Sequence, residues 1–145
     1  MIELNIKVKK LDSKAVIPTR AHFGDAGMDV TAISVNVTGD YIEYGTGLAF
    51  EVPPGYAMLI FPRSSNSKKD LLLCNSVGIL DSSYRGELKL RFKLTSKSES
   101  SDNKIYTVGD RVGQIMIIPY PDVWFSEVEE LSETDRGCGG FGSTN

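Results

Sequence analysis

The sequence predicts an all-β domain, built as a β-sandwich or a β-barrel. Several segments alternate apolar and polar residues with a period of two, which is typical of strands with one buried face. Short apolar runs lie between turn signals, as expected for inner strands. The sequence contains no convincing amphipathic helix longer than a turn or two, and SSNSKKD (64–70) is the best candidate for a short one. Many short strands separated by frequent turns indicate a sandwich or a barrel.

The predicted elements can be placed in chain order. Alternating strands are predicted at IELNIKV (2–8), ISVNV (33–37) and ELKLRFKL (87–94). The last of these places Leu88, Leu90, Phe92 and Leu94 on one face. Apolar inner strands are predicted at YAMLIF (56–61) and QIMII (114–118), and turns at VPPG (52–55) and PYPD (119–122). The polar segment TSKSESSDNK (95–104) has no period, and we expect it to be an exposed hairpin loop.

Length and charge limit the classes of protein to which the chain can belong. The 145 residues are enough for one domain with a hydrophobic core. We assign residues 1–135 to this domain and the Gly-rich residues 136–145 to a C-terminal arm. The net charge is −3, so we expect no nucleic-acid partner. Because no apolar run has the length of a membrane span and the N-terminus lacks a signal-peptide pattern, we expect no membrane association and a cytoplasmic location, or the host cytoplasm for a viral protein.

The cysteines and the single histidine are too few to build a zinc site. Cys74 lies in the apolar run LLLCNSVGIL, which predicts a small buried side chain, whereas Cys138 lies in the Gly-rich arm and is expected to be exposed. Together with His22 they cannot supply four soft ligands. Any metal should therefore be a hard cation bound through oxygen.

Five polar clusters fall between the predicted strands, where a rigid scaffold presents functional groups. In chain order they are GDAGMD (24–29), PRSS (62–65), NSVGILDSSYRGE (75–87), RVGQIM (111–116) and RGCGGFGSTN (136–145). An arginine followed by hydroxyls and backbone amides, as in the second cluster, suits an oxyanion such as phosphate. Each cluster alone also has a structural interpretation, such as a polar turn, an ion pair of Arg111, or a β-hairpin with Asp81 and Ser82 in its turn.

The third and fifth clusters carry groups suited to a nucleotide. Asn75 has a two-sided amide that can bind the edge of a polar ring, and Tyr84 offers a flat face. Asp81 follows an apolar stretch and is expected to be partly buried at the end of a strand. In the arm, glycine amides can surround an anion and Phe141 can cover an aromatic ring. A disordered chain end is the alternative for the arm.

Taken together and in this order, the motifs DAGMD, PRSS, GILDSSYRGE, RVGQ and RGCGGFGST resemble those of the trimeric dUTP pyrophosphatase (dUTPase) family over essentially the whole chain. The resemblance implies a jelly-roll-like β-barrel that assembles as a homotrimer, with a flexible arm that closes over the active site of a neighbouring subunit. It also implies hydrolysis of dUTP to dUMP and pyrophosphate with Mg²⁺ on the phosphates. This reaction limits the incorporation of uracil into DNA and supplies dUMP for dTMP synthesis.

The resemblance also implies a role for individual residues. Asp81 resembles the carboxylate that deprotonates the attacking water, and Asp29 the carboxylate that reaches the metal through water. Tyr84 would pack on the deoxyribose. The predicted catalytic residues are Asp81, Ser64 and Gln114. The predicted substrate-binding residues are Arg63, Ser64, Ser65, Asn75, Gly78, Ile79, Asp81, Tyr84, Glu87, Gln114, Arg136, Phe141, Gly142, Ser143 and Thr144.

The chain departs from the family pattern at Ser65, where many members have glycine, and this predicts a different shape for the loop. Two alternatives stay open. A dCTP deaminase has the same fold, but it needs a glutamate as proton shuttle at the position of Arg91, and arginine cannot act as that base. A non-catalytic or regulatory jelly-roll module is the second alternative.

Overall fold

The computed structural model describes residues 3–95 and 104–143, which form two antiparallel β-sheets around a common core. The described part contains nine strands and one short 3₁₀ helix, so the predicted all-β class is confirmed. The strands are β1 (Lys7–Lys10), β2 (Met28–Thr31), β3 (Ser34–Val37), β4 (Ile42–Glu51), β5 (Tyr56–Phe61), β6 (Leu71–Leu73), β7 (Gly78–Leu80), β8 (Glu87–Leu94) and β9 (Arg111–Pro119). The helix, Ser64–Lys68, lies within the predicted segment 64–70.

One long strand organises the first sheet. This sheet has the order β1-β4-β8-β6, and β3 also pairs with β4. The N-terminal half of β4 pairs with β3 and its C-terminal half pairs with β1, while β8 lies on its other side. The second sheet has the order β2-β9-β5-β7, so β9 lies between β2 and β5. These pairings place the ends of β2, β5 and β9 next to one another.

A β-bulge in β4 fixes the start of β8. The register between β4 and β8 shifts between Gly45 and Ala49, and Gly47 has a φ of 67°, which favours glycine. The Gly47 N–H donates to Glu87 Oε1 at 2.8 Å. The Thr46 hydroxyl, which is fully buried, donates to the carbonyl of Leu88 at 2.7 Å. The bulge thus anchors the third polar motif, which ends at Glu87, to the first sheet.

The core contains apolar residues from both sheets and an aromatic cluster. Tyr44, Phe92 and Tyr106 pack edge to face, with ring centroids 5.7 to 5.8 Å apart. The Tyr44 hydroxyl donates to the carbonyl of Tyr106 at 2.9 Å, which satisfies a polar group that is otherwise buried. Burial raises the pKa of Tyr44 to about 12, so this hydroxyl remains a donor at physiological pH.

Two of the alternating segments differ from the prediction. In the first, the described strand starts only at Lys7, and Ile2 lies outside the described residues. In the second, all four residues of β3 are exposed, because this strand pairs only with one half of β4. In β8, by contrast, Leu88, Leu90 and Phe92 are buried as predicted, and Leu94 is exposed at the end of the strand.

The turn predictions also have mixed outcomes. The turn at VPPG is confirmed by a hydrogen bond from the N–H of Tyr56 to the carbonyl of Pro53, 3.2 Å long. The turn predicted at PYPD is wrong, because Pro119 ends β9 and the chain continues without a turn. The loop predicted at 95–104 lies mostly outside the described residues.

Cys74 is exposed, and the prediction of a buried thiol is wrong. Leu71 and Leu73 of β6 face the core, whereas Leu72 is exposed. Cys74 follows Leu72 by two residues, so the alternation of the strand directs it outward. Cys138 is exposed, as predicted. Among residues 3–95 and 104–143, no helix has the length and hydropathy needed to cross a membrane.

Candidate functional site

The first, second and fourth motifs meet beside strand β9. The register of the second sheet places Gln114 of β9 opposite Asp29 of β2 on one side and Phe61 of β5 on the other. The Gln114 side-chain amide donates to the carbonyl of Pro62 at 3.0 Å. Gln114 therefore fixes the chain where β5 ends and the PRSS segment begins.

Asp29 lies between two arginines from different motifs. Its Oδ1 is 2.8 Å from Nε of Arg63, and its Oδ2 is 3.2 Å from Nη1 of Arg111. Arg63 also donates from Nη1 to the hydroxyl of Ser65 at 3.1 Å. The ion pair of Arg111 that the sequence offered as an alternative is present. The cluster has one carboxylate and two guanidinium groups, so it keeps one positive charge for an anionic ligand.

The 3₁₀ helix after Arg63 is fixed to the core through Asn66. The Tyr106 hydroxyl donates to Oδ1 of Asn66 at 3.0 Å, and Nδ2 of Asn66 donates to the carbonyl of Leu71 at 2.8 Å. Ser64, at the start of the helix, is exposed. Its hydroxyl has no hydrogen-bond partner within the part of the chain that the structure describes. The helix therefore presents Ser64 to the surface on a rigid backbone.

The third motif connects the two sheets. β7 pairs with β5 in the second sheet, whereas β8 pairs with β4 and β6 in the first. The β-hairpin with Asp81 and Ser82 in its turn, which was the structural alternative for this motif, is not formed: the segment 81–86 crosses from one sheet to the other. Asp81 directly follows β7, as predicted, but it is exposed where partial burial was expected. It is exposed because the chain leaves the sheet at this residue.

A cavity of about 300 Å³ opens between β7 and β8. Its lining includes five predicted substrate-binding residues from the third motif in addition to Asp81: Asn75, Gly78, Ile79, Tyr84 and Glu87. Cavities of this size and larger are typical of sites for small ligands. No residue of the other four motifs lines this cavity in the described part of the chain. Within one chain, the first, second and fourth motifs thus form one group beside β9, and the third motif forms a second group at the cavity.

Tyr84 is held in place by its neighbours in the loop. Its hydroxyl donates to the carbonyl of Glu87 at 3.1 Å, and its N–H donates to the carbonyl of Asp81 at 3.1 Å. A Cβ atom on Gly86 would overlap the hydroxyl and ring of Tyr84, so a larger residue fits there only if Tyr84 moves. The carboxylate of Glu87 accepts the N–H of Gly47, which gives it a structural contact in addition to its predicted role.

Three charged residues on the cavity wall, Glu43, Lys89 and Arg91, were not among the predicted site residues. Glu43 Oε1 is 3.0 Å from Nζ of Lys89, and Glu43 Oε2 is 2.7 Å from Nε of Arg91. These hydrogen bonds, the one from Lys89 first, lower the pKa of Glu43 below its ordinary value. The hydrogen bond with Glu43 also raises the pKa of Arg91 above its ordinary value. For Lys89 and Arg91, the signal in the sequence was the polar side of the alternating strand β8.

The side chains of Ser64, Asn75 and Asp81 are exposed and make no hydrogen bond or ion pair with the described part of the chain. All three were predicted to contact the substrate. Asp29, Arg63, Ser65 and Gln114 already have partners. The site therefore combines free polar groups with a framework of paired ones.

Beyond Tyr120, whose N–H donates to the carbonyl of Gly55, the hydrogen bonds of the C-terminal segment are local in the described part of the chain. All residues from Pro119 to Cys138 are exposed. Arg136 donates from Nε to the carbonyl of Gly139 at 2.8 Å, and the N–H of Ser143 donates to the carbonyl of Gly140 at 3.0 Å. The side chain of Phe141 is fully exposed, and Thr144 lies outside the described residues. The exposed segment starts before residue 136, and the division of the chain at 135/136 stays a prediction.

The profile of the dUTPase family matches residues 13–145. The chain belongs to this family. The deoxyuridine 5'-triphosphate nucleotidohydrolase of Clostridium acetobutylicum is 38% identical over 144 residues, and the match covers 97% of each chain. Known dUTPases therefore resemble the chain over nearly its whole length.

Solved dUTPase structures have the same fold. The dUTPase of Staphylococcus bacteriophage 80alpha, solved with dUpNHpp, superimposes with a TM-score of 0.83 at 27% identity, covering 97% of this chain and 98% of that one. A mutant dUTPase from phage phi11 of S. aureus, with a structural Mg(II) ion, gives a TM-score of 0.72 at 24% identity over 88% of this chain and 98% of that one. The second match concerns the fold alone. These matches agree with the jelly-roll-like barrel that the motifs implied.

Proposed function

We propose that this dUTPase hydrolyses dUTP to dUMP and pyrophosphate, with Asp81 as the general base. The observation that carries the proposal is the free carboxylate of Asp81 at the rim of a cavity shared with Asn75 and Tyr84. Water is a poor nucleophile at neutral pH, and an ionised carboxylate can take its proton as the bond to the α-phosphorus forms. Asp81 has no ion-pair partner in the described part of the chain, so its oxygens are free to accept a hydrogen bond from the attacking water.

The cavity between β7 and β8 is the proposed site for the nucleoside. The amide of Asn75 and the backbone near Gly78 and Ile79 provide donors and acceptors for the edge of uracil. Tyr84, fixed by Glu87 and by the absence of a side chain at Gly86, would lie against the deoxyribose and exclude a 2′-hydroxyl. Cytosine carries a donor where uracil carries an acceptor, so its polar groups would be left unpaired, and such mismatches discriminate strongly.

The phosphates are proposed to bind the cluster beside β9. Arg63 would anchor the phosphate chain, because a guanidinium group matches phosphate oxygens in a bidentate manner. Ser64 would donate its free hydroxyl near the α-phosphate. Gln114 would assist there through the second N–H of its side-chain amide, since the first is donated to the carbonyl of Pro62.

Mg²⁺ is the proposed cofactor, and the donor set fits it. Within the described residues, no group of three or more His, Cys, Asp or Glu side chains could hold a metal ion by itself. Mg²⁺ commonly binds through substrate phosphates, several waters and one or two carboxylates. Asp29 can serve through a water, because its oxygens keep lone pairs beyond those bonded to Arg63 and Arg111. When bound, the ion neutralises charge on the triphosphate.

We propose that the protein acts as a homotrimer whose sites combine residues from several chains. In a single chain, the nucleoside cavity contains no residue of the first, second, fourth or fifth motif within the described part. Bringing the two groups of motifs to one substrate is what an assembly of chains can do. The C-terminal arm would then close a site, with Arg136, Gly142, Ser143 and Thr144 on the outer phosphates and Phe141 on the base. We place this activity in the cytoplasm, where it would act on the nucleotide pool.

One assay tests this function against its alternatives. Pyrophosphate release is measured with dUTP, dTTP, UTP and dCTP, and ammonia release is measured with dCTP. We expect pyrophosphate from dUTP and little from the other three. Ammonia from dCTP would identify a deaminase instead, and the absence of any turnover would identify a non-catalytic module.

A further inference from the structure

The guanidinium group of Arg63 is held at two points before any ligand binds. Its Nε donates to Oδ1 of Asp29 at 2.8 Å, and its Nη1 donates to the hydroxyl of Ser65 at 3.1 Å. We propose that Ser65 is a positioning residue whose hydroxyl, together with Asp29, fixes the orientation of Arg63 toward the phosphate chain of the nucleotide. This inference rests on the proposed function, in which Arg63 anchors those phosphates.

The hydrogen-bonding capacity of Arg63 supports this role. A guanidinium group carries five N–H donors in a planar fork. Asp29 takes one of them and Ser65 takes a second, so three remain for an anionic ligand. Because the two contacts are made by different groups of the guanidinium, they define both its position and the rotation of its plane. A side chain that is ordered in advance loses less conformational freedom when the ligand binds.

The backbone around Ser65 is fixed on both sides. Before it, Gln114 binds the carbonyl of Pro62, and after it, Asn66 is bound to Tyr106 and Leu71. Ser65 is the second residue of the 3₁₀ helix between these anchors. Its hydroxyl is therefore directed to Arg63 by a framework that does not depend on the substrate. Because the serine is neutral, it affects the orientation of the cation without changing the charge of the cluster.

Ser65→Ala tests the proposal, with Ser65→Thr and Ser67→Ala as controls. Ser65→Ala removes the acceptor, and Ser65→Thr keeps it. Ser67 lies in the same helix and is exposed, and its hydroxyl has no hydrogen bond in the described part of the chain. We expect Ser65→Ala to raise KM for dUTP about three- to tenfold and to change kcat by less than about twofold, as for a loss of uniform binding. Ser67→Ala should keep the KM of the unmodified protein, and Ser65→Thr, which retains the acceptor, should have a KM closer to that value than Ser65→Ala has. An unchanged KM in Ser65→Ala would overturn the proposal.

A double-mutant cycle separates positioning from direct contact with the substrate. Arg63→Lys keeps the charge but lacks the planar fork. If Ser65 acts through Arg63, Ser65→Ala should have no further effect on KM in the Arg63→Lys background. Equal effects of Ser65→Ala in both backgrounds would show that the hydroxyl contacts the substrate itself, and would refute positioning.

A measurement without substrate distinguishes this inference from the proposed function. In nitrogen-15 NMR of the ligand-free protein, rotation about the Nε–Cζ bond of Arg63 should be faster in Ser65→Ala than in the unmodified protein or in Ser67→Ala. The Arg63 signal is assigned by its absence in Arg63→Lys. Unchanged rotation would overturn the positioning role even if dUTP is hydrolysed. Conversely, a protein that fails to hydrolyse dUTP would refute the proposed function while the NMR comparison still decides the role of Ser65.

Discussion

Glu43 of β4 accepts a hydrogen bond of 2.7 Å from Nε of Arg91 on β8, 48 residues away in the sequence. Glu43 is 8% exposed, and its other oxygen binds Lys89. Because the pKa of Glu43 is lowered in the folded protein, its ionised form stabilises the fold at pH values above the ordinary pKa of 4.5. This stabilisation is lost as the pH falls through the lowered pKa of the folded state. We predict that Glu43→Gln lowers the free energy of unfolding by about 1–2 kcal/mol at pH 7. In urea titrations, the difference should shrink as the pH falls below 4.5.

Glu51→Gln is the matched control for this prediction. Glu51 also pairs with a lysine, with Oε1 3.0 Å from Nζ of Lys7, but both side chains are largely exposed. Exposed pairs contribute little. The free energy of unfolding of Glu51→Gln should therefore stay close to that of the unmodified protein. A Glu43→Gln variant with the same pH dependence as the unmodified protein would contradict the prediction.

Asp81→Asn should fold normally and lose turnover. Asp81 is exposed and unpaired in the described part of the chain, so its replacement removes no contact that stabilises the fold. Asparagine cannot accept the proton of water, and the expected loss in kcat is about a hundredfold or more. Steady-state kinetics, together with calorimetric binding of a non-hydrolysable dUTP analogue, measures the two effects. Near-normal kcat would show that Asp81 is not the base.

Gly86→Ala should weaken the discrimination between dUTP and UTP. The added methyl group overlaps the ring of Tyr84, which must move away from the predicted deoxyribose position. We expect the ratio of kcat/KM for dUTP over UTP to fall about tenfold or more, since small displacements in a site have large effects. Gly39→Ala is the control, because a Cβ atom there meets no other atom within 4 Å. If the ratio of kcat/KM for dUTP over UTP is unchanged in Gly86→Ala, Tyr84 does not select the sugar.

Deletion of residues 137–145 should leave the melting temperature nearly unchanged and remove most activity. The described hydrogen bonds of this segment are local, so its loss removes little that supports the sheets. Bound dUTP would lose the groups that fix its outer phosphates, which can contribute several kcal/mol in the transition state. Thermal melts and kinetics measure both effects.

Mixing the deletion variant with Asp81→Asn tests whether the arm serves another chain. Each parent protein is nearly inactive. After subunit exchange, mixed assemblies contain sites with Asp81 from one chain and an arm from another. Recovered activity is the expected result. Mixed assemblies without activity would mean that each arm covers Asp81 of its own chain.

Trp124 should be shielded from water in the assembled protein. It is the single tryptophan of the chain, and in one chain it is 82% exposed beside Phe125 at 96%. Exposed clusters of this kind usually mark an interaction surface. We expect a fluorescence maximum at shorter wavelength than that of free tryptophan, with a shift to longer wavelength on dissociation. If the active protein has its fluorescence maximum at the wavelength of free tryptophan, this segment is not buried.

Local periodicity predicted the buried face of β8 but not the exposure of β3. In β8, alternation alone placed Leu88, Leu90 and Phe92 in the core. Periodicity does not specify which strands pair. For this reason the crossing of segment 81–86 between the sheets, and with it the exposure of Asp81, was not foreseen.

The sequence also did not predict which residues the polar side chains bind. The alternation of β8 shows that Lys89 and Arg91 face outward, but not that they meet Glu43 of another strand. Likewise, the presence of serine at position 65 predicted only a change in the shape of the loop. In the structure, the Ser65 hydroxyl accepts a hydrogen bond from Arg63. Half of the residues that line the cavity were among the site residues implied by the motifs.

Because β9 ends at Pro119, the length of chain after this residue determines how far the C-terminal residues can reach. From Pro119 to Phe141 the chain has about 22 residues, which when extended can span up to roughly 70 Å. A folded domain of this size has a radius of gyration of only about 15 Å. Phe141 can therefore reach any point on its own domain and well onto an adjoining one. Tether length does not select which site the arm closes. That choice depends on the local concentration of the arm at each site and on the contacts made there.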